Sequence, residues 1–487
     1  MQHLWDLIER AEQAAPDATA LEVPEGAYTY AQLAGAARGL SEDLRGATGP
    51  FIGLIASRSF GAYTGLLGIL HAGKGYVPLN PLLPTDRLRR MAEGAQLTVL
   101  VADAAHADAA RSFAQGLDPA PQVLVAGTGI APPSPPLAGP YAYMLFTSGS
   151  TGVPKGVPIG HRQVLAYVAH MAQLLGAHPG DRFTQLFDLS FDLSVHDLFV
   201  CWSVGGTVLV PGREQLMAPA RYVMERRAQH WFSTPSTALL LHRLRLLKPD
   251  TFADLRTVSF CGEALPTDLA RAFQAAAPNA QVFNLYGPTE ATIAITAYPL
   301  PASDLKERRG IVSIGRPFPG VSALVSADGE LLLGGPQLAE GYWQDPERSA
   351  QAFIIPAGST AIHYRTGDRV EHDADGDLYF VERLDDQVKV RGHRVELQEV
   401  AHVLRTSSGA AFVEVLAFPV EAGIALGLHA FLPKELEARR AELTSACAAQ
   451  LPEAARPALH FIDALPVNTS GKVDRQALRA LLAPPTA

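Results

Sequence analysis

Cysteine is scarce in this sequence. Cys201, Cys261 and Cys447 are the three present among 487 residues, and they lie far apart with no paired spacing. A disulfide framework and a zinc site are therefore not expected, and the three read as reduced thiols in a cytoplasmic protein. An excess of positive charge is also lacking: Lys plus Arg number 40 against 49 Asp plus Glu, a formal net charge of -9. Non-specific binding to a phosphate backbone needs clustered positive charge, so no nucleic-acid partner is expected. No uninterrupted apolar run approaches the roughly 18 residues of a membrane span. The N-terminal stretch MQHLWDLIERAEQAAP carries Asp6 and Glu9 where a secretory signal needs a basic start and an apolar run. Membrane insertion and secretion are both disfavoured. A repeat of fixed period is missing too, the doubled FDLS of Phe187 to Ser194 being too short to count.

What is present suits a packed globular protein. Hydrophobic residues make up 48% and charged residues 18%, and the length corresponds to roughly three units of about 150 residues. Apolar positions recur at helical spacing from Leu4 to Ala14 and from Ala31 to Leu44. Short β-rich, continuously apolar runs follow, at Phe51 to Ser57 and Leu97 to Asp103. Such runs alternating with helices predict an α/β fold with a parallel sheet covered on both faces. The Pro- and Gly-rich segment Gly127 to Pro140 reads as a surface connection leading into an apolar strand at Tyr141 to Phe146. Near Leu384 to Asp386 the chain turns more polar. This predicts a large N-terminal domain, residues 1–384, made of several sheet and helix subdomains, and a small, mobile α+β C-terminal domain, residues 385–487, joined by a hinge.

The segment TSGSTGVPKG, Thr147 to Gly156, directly follows that strand. Its glycines, Gly149 and Gly152 among them, let the backbone approach a polyphosphate. The hydroxyls of Thr147, Ser148, Ser150 and Thr151 can donate to phosphate oxygens, and Lys155 adds a positive charge. It is not the G-x-x-x-x-G-K-[ST] nucleotide loop, because Gly156 follows Lys155. Taken by itself, a Ser/Gly-rich surface turn is the alternative.

Four further segments follow in order: NLYGPTEATI at Asn284 to Ile293, YRTGDRV at Tyr364 to Val370, DDQVKVRGHRVELQEV at Asp385 to Val400, and NTSGKVDRQAL at Asn468 to Leu478. Together with the loop, these five resemble the motifs of the adenylate-forming superfamily. That group includes the adenylation domains of nonribosomal peptide synthetases, acyl-CoA synthetases and luciferases. The resemblance extends from about Thr29 to Leu478.

The resemblance implies ATP and Mg²⁺ and assigns roles. Tyr286, beside Asn284 and Gly287, would stack on adenine, Thr289 would donate to a phosphate, and Glu290 would hold Mg²⁺ through a hard oxygen. Asp368 would accept the ribose hydroxyls, and Arg383 would contact ribose or phosphate. Lys472, with Thr147 and Lys155, would be catalytic: as a mobile cation, Lys472 would bridge the substrate carboxylate and the α-phosphate, where charge builds in the transition state. Asp385 falls at the hinge, where Glu382-Arg383 replaces the usual Gly-Arg. Val390 to Arg394, centred on Gly392, would admit a pantetheine arm.

The acid to be activated is addressed by FDLSFDLSVHDLF, Phe187 to Phe199. In amino-acid-activating members an Asp here accepts the substrate ammonium group, a charge-assisted contact that an acid without the amine could not satisfy. Aligned on the later copy, that residue is Asp192; Asp188 competes because of the repeat, and Asp197 closes the motif. These aspartates could instead cap a helix that starts nearby. WFSTPS (Trp231 to Ser236) and FCGEALP (Phe260 to Pro266) are similar to D-alanine:carrier-protein ligases and stand-alone amino acid adenylating enzymes. The implied side-chain pocket comprises Leu193, His196, Ser233, Ser259, Cys261, Gly262, Leu285, Ile293 and Ala294. Several are bulky and none adds a second charge, which points to a small neutral amino acid such as alanine, glycine, serine or proline. Cys261 could equally be an inert buried thiol.

The expected protein is thus a stand-alone ligase that makes an aminoacyl-AMP and passes it to the phosphopantetheine thiol of a separate carrier protein, since no carrier segment follows Lys472. Natural-product biosynthesis is the expected setting. The alternatives are an L-proline- or D-alanine-specific carrier-protein ligase, or an acyl-CoA synthetase.

Overall fold

The computed structural model describes residues 2–127, 129–147, 154–421, 424–467 and 473–482. The chain forms two compact units. One contains Met1–Leu82, Met91–Phe146 and Gly156–Leu384, the other Leu83–Arg90, Thr147–Lys155 and Asp385–Ala487.

The apolar runs become sheet interiors. Phe51–Ile55, Gly75–Pro78 and Val99–Ala102 are buried at every position and run parallel. They lie in a six-stranded sheet ordered Gln122–Val125, Val99–Ala102, Phe51–Ile55, Gly75–Pro78, Tyr141–Thr147, Lys155–Gly160. Each strand is shorter than its apolar run because neighbouring backbone is diverted. Ser57 N donates to Asp103 Oδ2 at 3.1 Å, Ser59 caps the helix Phe60–His71, and Leu97 N closes on Ala92 O. That helix is buried on all sides, which explains its apolar circumference. The helix Tyr30–Asp43 opens with a capping box between Thr29 and Gln32. The Pro-rich segment holds no regular element among the described residues and is tied down by Leu137 N to His71 O and by His71 Nε2 to Ser134 O.

A nine-stranded sheet carries Ser233, Ser259, Asn284, Leu285 and Tyr286 among the residues singled out in sequence. Its core strands Gln281–Tyr286, Thr257–Phe260, His230–Ser233 and Arg182–Thr184 are parallel neighbours, while Thr296–Pro299 and Gly26–Thr29 pair antiparallel towards the edges. The helix Leu193–Ser203 is buried from Leu193 through Trp202. A third sheet contains His363–His372 and Leu378–Arg383, in antiparallel register that sets Asp368 opposite Arg383.

In the second unit, the helices Leu397–Ser408 and Arg440–Gln450 share a hydrophobic cluster with the strands Glu414–Ala417, Leu428–Pro433 and Ala458–Ile462. Within the same unit, Arg87 pairs with Glu399 at 2.8 Å, both side chains buried.

Candidate active site

The strand Gln281–Tyr286 ends beside the Asp368–Arg383 pair. Tyr286 Oη donates to Asp368 Oδ2 at 2.5 Å, and Arg383 Nη1 donates to Asp368 Oδ1 and to the Thr366 carbonyl, both at 2.8 Å. The carboxylate is thereby fixed in orientation, with each oxygen retaining a second lone pair for a further donor. Burial and the adjacent carboxylate raise the Tyr286 phenol well above its ordinary range, so it stays a donor. Asn284, read as a nucleotide contact, is turned into the protein, its amide donating to Ser313 O at 2.9 Å and Val312 O at 3.4 Å.

Beyond Tyr286 the chain folds back on itself. A Cβ on Gly287 would lie 2.6 Å from Ala294 Cα, so this position needs glycine. A short 3₁₀ turn, Thr289–Ala291, is followed by two consecutive residues with positive φ, Thr292 at 57° and Ile293 at 72°. That conformation is costly for β-branched side chains. A clamp holds it in place. Gln337 Nε2 lies within hydrogen-bond reach of the carbonyls of Ala291, Thr292 and Ala294, at 3.4, 3.3 and 2.8 Å, and Thr292 Oγ1 donates to Gln337 O at 2.6 Å. Glu290 is fully buried; its Oε1 accepts from Tyr342 Oη at 3.0 Å and its carbonyl from Ala339 N.

Asp192 stands at the N-terminus of the helix Leu193–Ser203, but its backbone is already helical and its side chain makes no capping bond. The charge of its carboxylate bears on three fully buried phenols, Tyr76, Tyr143 and Tyr167. Asp188 is instead engaged in a local turn, accepting from Ser190 N at 2.9 Å and from Ser190 Oγ at 2.5 Å. Burial raises the Asp197 carboxyl well above the ordinary range, against the backbone N–H of Leu186 and the charge of Arg58. Arg58 binds the carbonyls of Gln185, Leu186 and Phe187 at 2.6 to 2.9 Å and so fixes the strand end leading into the motif.

The other residues read from sequence as lining a side-chain pocket are nearly all buried. His196 is buried, with Nδ1 2.7 Å from Tyr167 Oη and its ring 4.2 Å from the Phe232 ring. A Cβ on Gly262 would lie 3.6 Å from Leu193 Cδ1. Cys261 Sγ faces the Ile293 carbonyl at 4.0 Å. Ser259, Leu285, Ile293 and Ala294 are all buried. Ser233 is committed locally: Trp231 Nε1 donates to its Oγ at 2.7 Å, and that hydroxyl reaches Thr234 O.

Thr147 ends its strand with a buried hydroxyl that has no hydrogen-bond partner among the described residues, and Lys155 opens the strand Lys155–Gly160, half-buried. Ser148, Gly149, Ser150, Thr151, Gly152 and Lys472 lie outside the described residues. Asp385 is the first residue of its segment of the second unit, with Oδ1 accepting from Gln387 N at 3.2 Å. Sequence reasoning missed Gln337, Tyr342, Arg58 and Tyr167, because each acts on a partner remote in the chain.

Residues 8–343 match the family described as AMP-binding enzyme. Tyrocidine synthase 3 of Brevibacillus parabrevis is 32% identical over 98% of this chain, which spans 8% of that much longer protein. Among solved structures, the Vibrio cholerae adenylation domain AlmE, in complex with glycyl-adenosine-5'-phosphate, is 30% identical with a TM-score of 0.89, over 99% of this chain and 98% of its own. PA1221, a nonribosomal peptide synthetase protein containing adenylation and carrier (PCP) domains, is 25% identical with a TM-score of 0.84, over 99% of this chain and 84% of its own. A family match across more than half the residues, and a fold shared end to end with an adenylation domain, agree with the motif order: the chain belongs to the AMP-binding enzymes, the family of adenylating, AMP-forming ligases.

Proposed function

We propose that this protein activates a small neutral amino acid as its aminoacyl adenylate and transfers it to the phosphopantetheine thiol of a carrier protein in natural-product biosynthesis. The observation that carries the reading is Asp192, a carboxylate at a helix start that is not spent on capping. A substrate ammonium would make a charge-assisted contact with it that a carboxylic acid without an amine could not supply. AlmE, solved with a glycyl adenylate, supports the same class of substrate. PA1221, with adenylation and carrier domains in one protein, supports the carrier as acceptor.

In the first step a substrate carboxylate oxygen attacks the α-phosphorus of ATP and pyrophosphate leaves. Asp368, oriented by Tyr286 and Arg383, takes the ribose hydroxyls. Thr147 and Lys155 meet the phosphates, and Lys472 steadies the two anions as they approach. Glu290 fits Mg²⁺ by donor chemistry, as a fully buried carboxylate whose one oxygen Tyr342 already orients. The ion would supply charge neutralisation on the polyphosphate. In the second step a carrier thiolate attacks the carbonyl carbon and AMP leaves.

An ATP–pyrophosphate exchange panel of small L- and D-amino acids and simple carboxylic acids tests the reading. Exchange with amino acids is expected, and exchange confined to carboxylic acids would assign an acyl-CoA synthetase instead. Lys472→Ala should lose exchange by about a hundred- to a thousandfold while ATP binding, read by calorimetry, persists.

A further inference from the structure

We infer that the activated amino acid carries a side-chain hydroxyl, read jointly by His196 and Ser259, and that serine is the match in size. The inference rests on the amino-acid reading above and narrows it.

The argument turns on where one proton sits. His196 is buried, and desolvation lowers its pKa to about 3, so the ring is neutral and carries a single N–H. Its Nδ1 lies 2.7 Å from the hydroxyl of Tyr167, itself wholly buried, and among the described residues that hydroxyl has no other hydrogen-bond partner. If Nδ1 held the proton, the phenolic hydrogen would be stranded in the core without an acceptor. The phenol therefore donates, Nδ1 accepts, and the imidazole proton sits on Nε2. Nε2–H is then a donor, and among the described residues it has no hydrogen-bond partner.

Ser259 supplies the second group, a buried Oγ with no hydrogen-bond partner. Its place relative to His196 follows from the sheet. Phe232, whose ring packs 4.2 Å from the His196 ring, is paired in register with Ser259 on the adjacent parallel strand. The two side chains thus share one sheet face about 5 Å apart. Leu193, one turn ahead of His196, reaches to within 3.6 Å of a Cβ on Gly262, just past the end of the Ser259 strand. The first turn of the helix and the strand end so face each other, each with an unpartnered polar group.

One small hydroxyl satisfies both, accepting from His196 Nε2–H and donating to Ser259 Oγ. A methyl group would leave both unpaired, a cost sites of this kind exploit to reject analogues that lack the hydroxyl. Phe232 and Leu193 border the space, and the neutral imidazole gives an acidic side chain no counter-charge.

The test compares serine with 2-aminobutyrate, which has the same shape with a methyl in place of the hydroxyl, and with alanine, in ATP–pyrophosphate exchange. Serine is expected to exceed 2-aminobutyrate in kcat/KM by about ten- to a hundredfold. Ser259→Ala and His196→Phe should each pull that ratio towards unity, a within-enzyme comparison that does not depend on how much protein folds. Equal turnover of serine and 2-aminobutyrate by the unaltered enzyme overturns the hydroxyl readout and leaves amino acid activation standing. A serine preference that survives both substitutions overturns the assignment to these two residues. Exchange with no amino acid at all defeats the broader reading and this one with it.

Discussion

Asp192 occupies a position where most helices would use an acidic side chain as a cap, and it is withheld from that use. Its charge bears on three buried phenols, and a substrate ammonium held there would offset that charge, which gives the proposed amine-binding role its physical force. Asp192→Asn preserves shape and removes charge, and should raise the KM for the amino acid by about ten- to a hundredfold with little change in the KM for ATP. Asp188→Asn, which disturbs the turn with Ser190, should have the smaller effect; the reverse order, measured by exchange over a range of amino acid concentrations at saturating ATP, would move the amine to Asp188. The doubled FDLS left this register open in sequence, because the repeat offers the same residues at both positions. In the structure Asp188 closes a local turn with Ser190, while Asp192 makes no capping bond, and the two substitutions above decide between them. Asn284 is a different case, a motif residue whose amide nitrogen donates to the 312–313 carbonyls.

At the scale of elements, apolar runs made the strands legible, since a strand buried on both faces shows itself as unbroken hydrophobicity. Their ends were less legible, because Asp103 and Ser59 divert backbone that the run alone would extend. The turn after Glu290 could not have been read at all. Nothing in Thr-Ile announces positive φ, and the clamp at Gln337 lies more than forty residues away in the chain. Gln337→Leu would leave three buried carbonyls short of a donor and release a strained turn, lowering stability by about 2–4 kcal/mol in a urea melt. A second element-level device lies under the first helix. His3 and His161 lie with ring centres 3.6 Å apart and tilted by 36°, neither ring nitrogen of His3 has a hydrogen-bond partner among the described residues, and His161 Nδ1 accepts from Leu4 N. Burial outweighs the opposing pull of Asp6 and lowers His3 from 6.5 to about 4 and His161 to about 3. The unfolded chain therefore binds more protons than the folded one below pH 6.5, and stability should fall as the pH drops from there towards 4. A melting series across that range should show a shallower decline in His3→Phe than in the unaltered chain.

For the molecule as a whole, the motif order was enough to identify the family, and the break at Leu384 coincides with a change from one compact unit to the other. The segments 83–90 and 147–155 group with the second unit, which no local pattern could reveal because only tertiary packing assigns them. The scarcity of cysteine also gains a physical meaning. All three thiols are buried, and burial pushes Cys447 up to about 11 and Cys201 well above its ordinary range. Thiol reagents at neutral pH should label the native protein slowly and all three positions once it is unfolded, as counted by intact mass. The clamped turn has a different consequence. Glu290, at the proposed metal end, and Ile293, at the side-chain end, are three residues apart on one strained piece of backbone gripped by a single glutamine. A substitution at Ile293, where we propose that the substrate side chain sits, would disturb the carboxylate three residues away, so changes of substrate should arise mainly along the helix that bears His196.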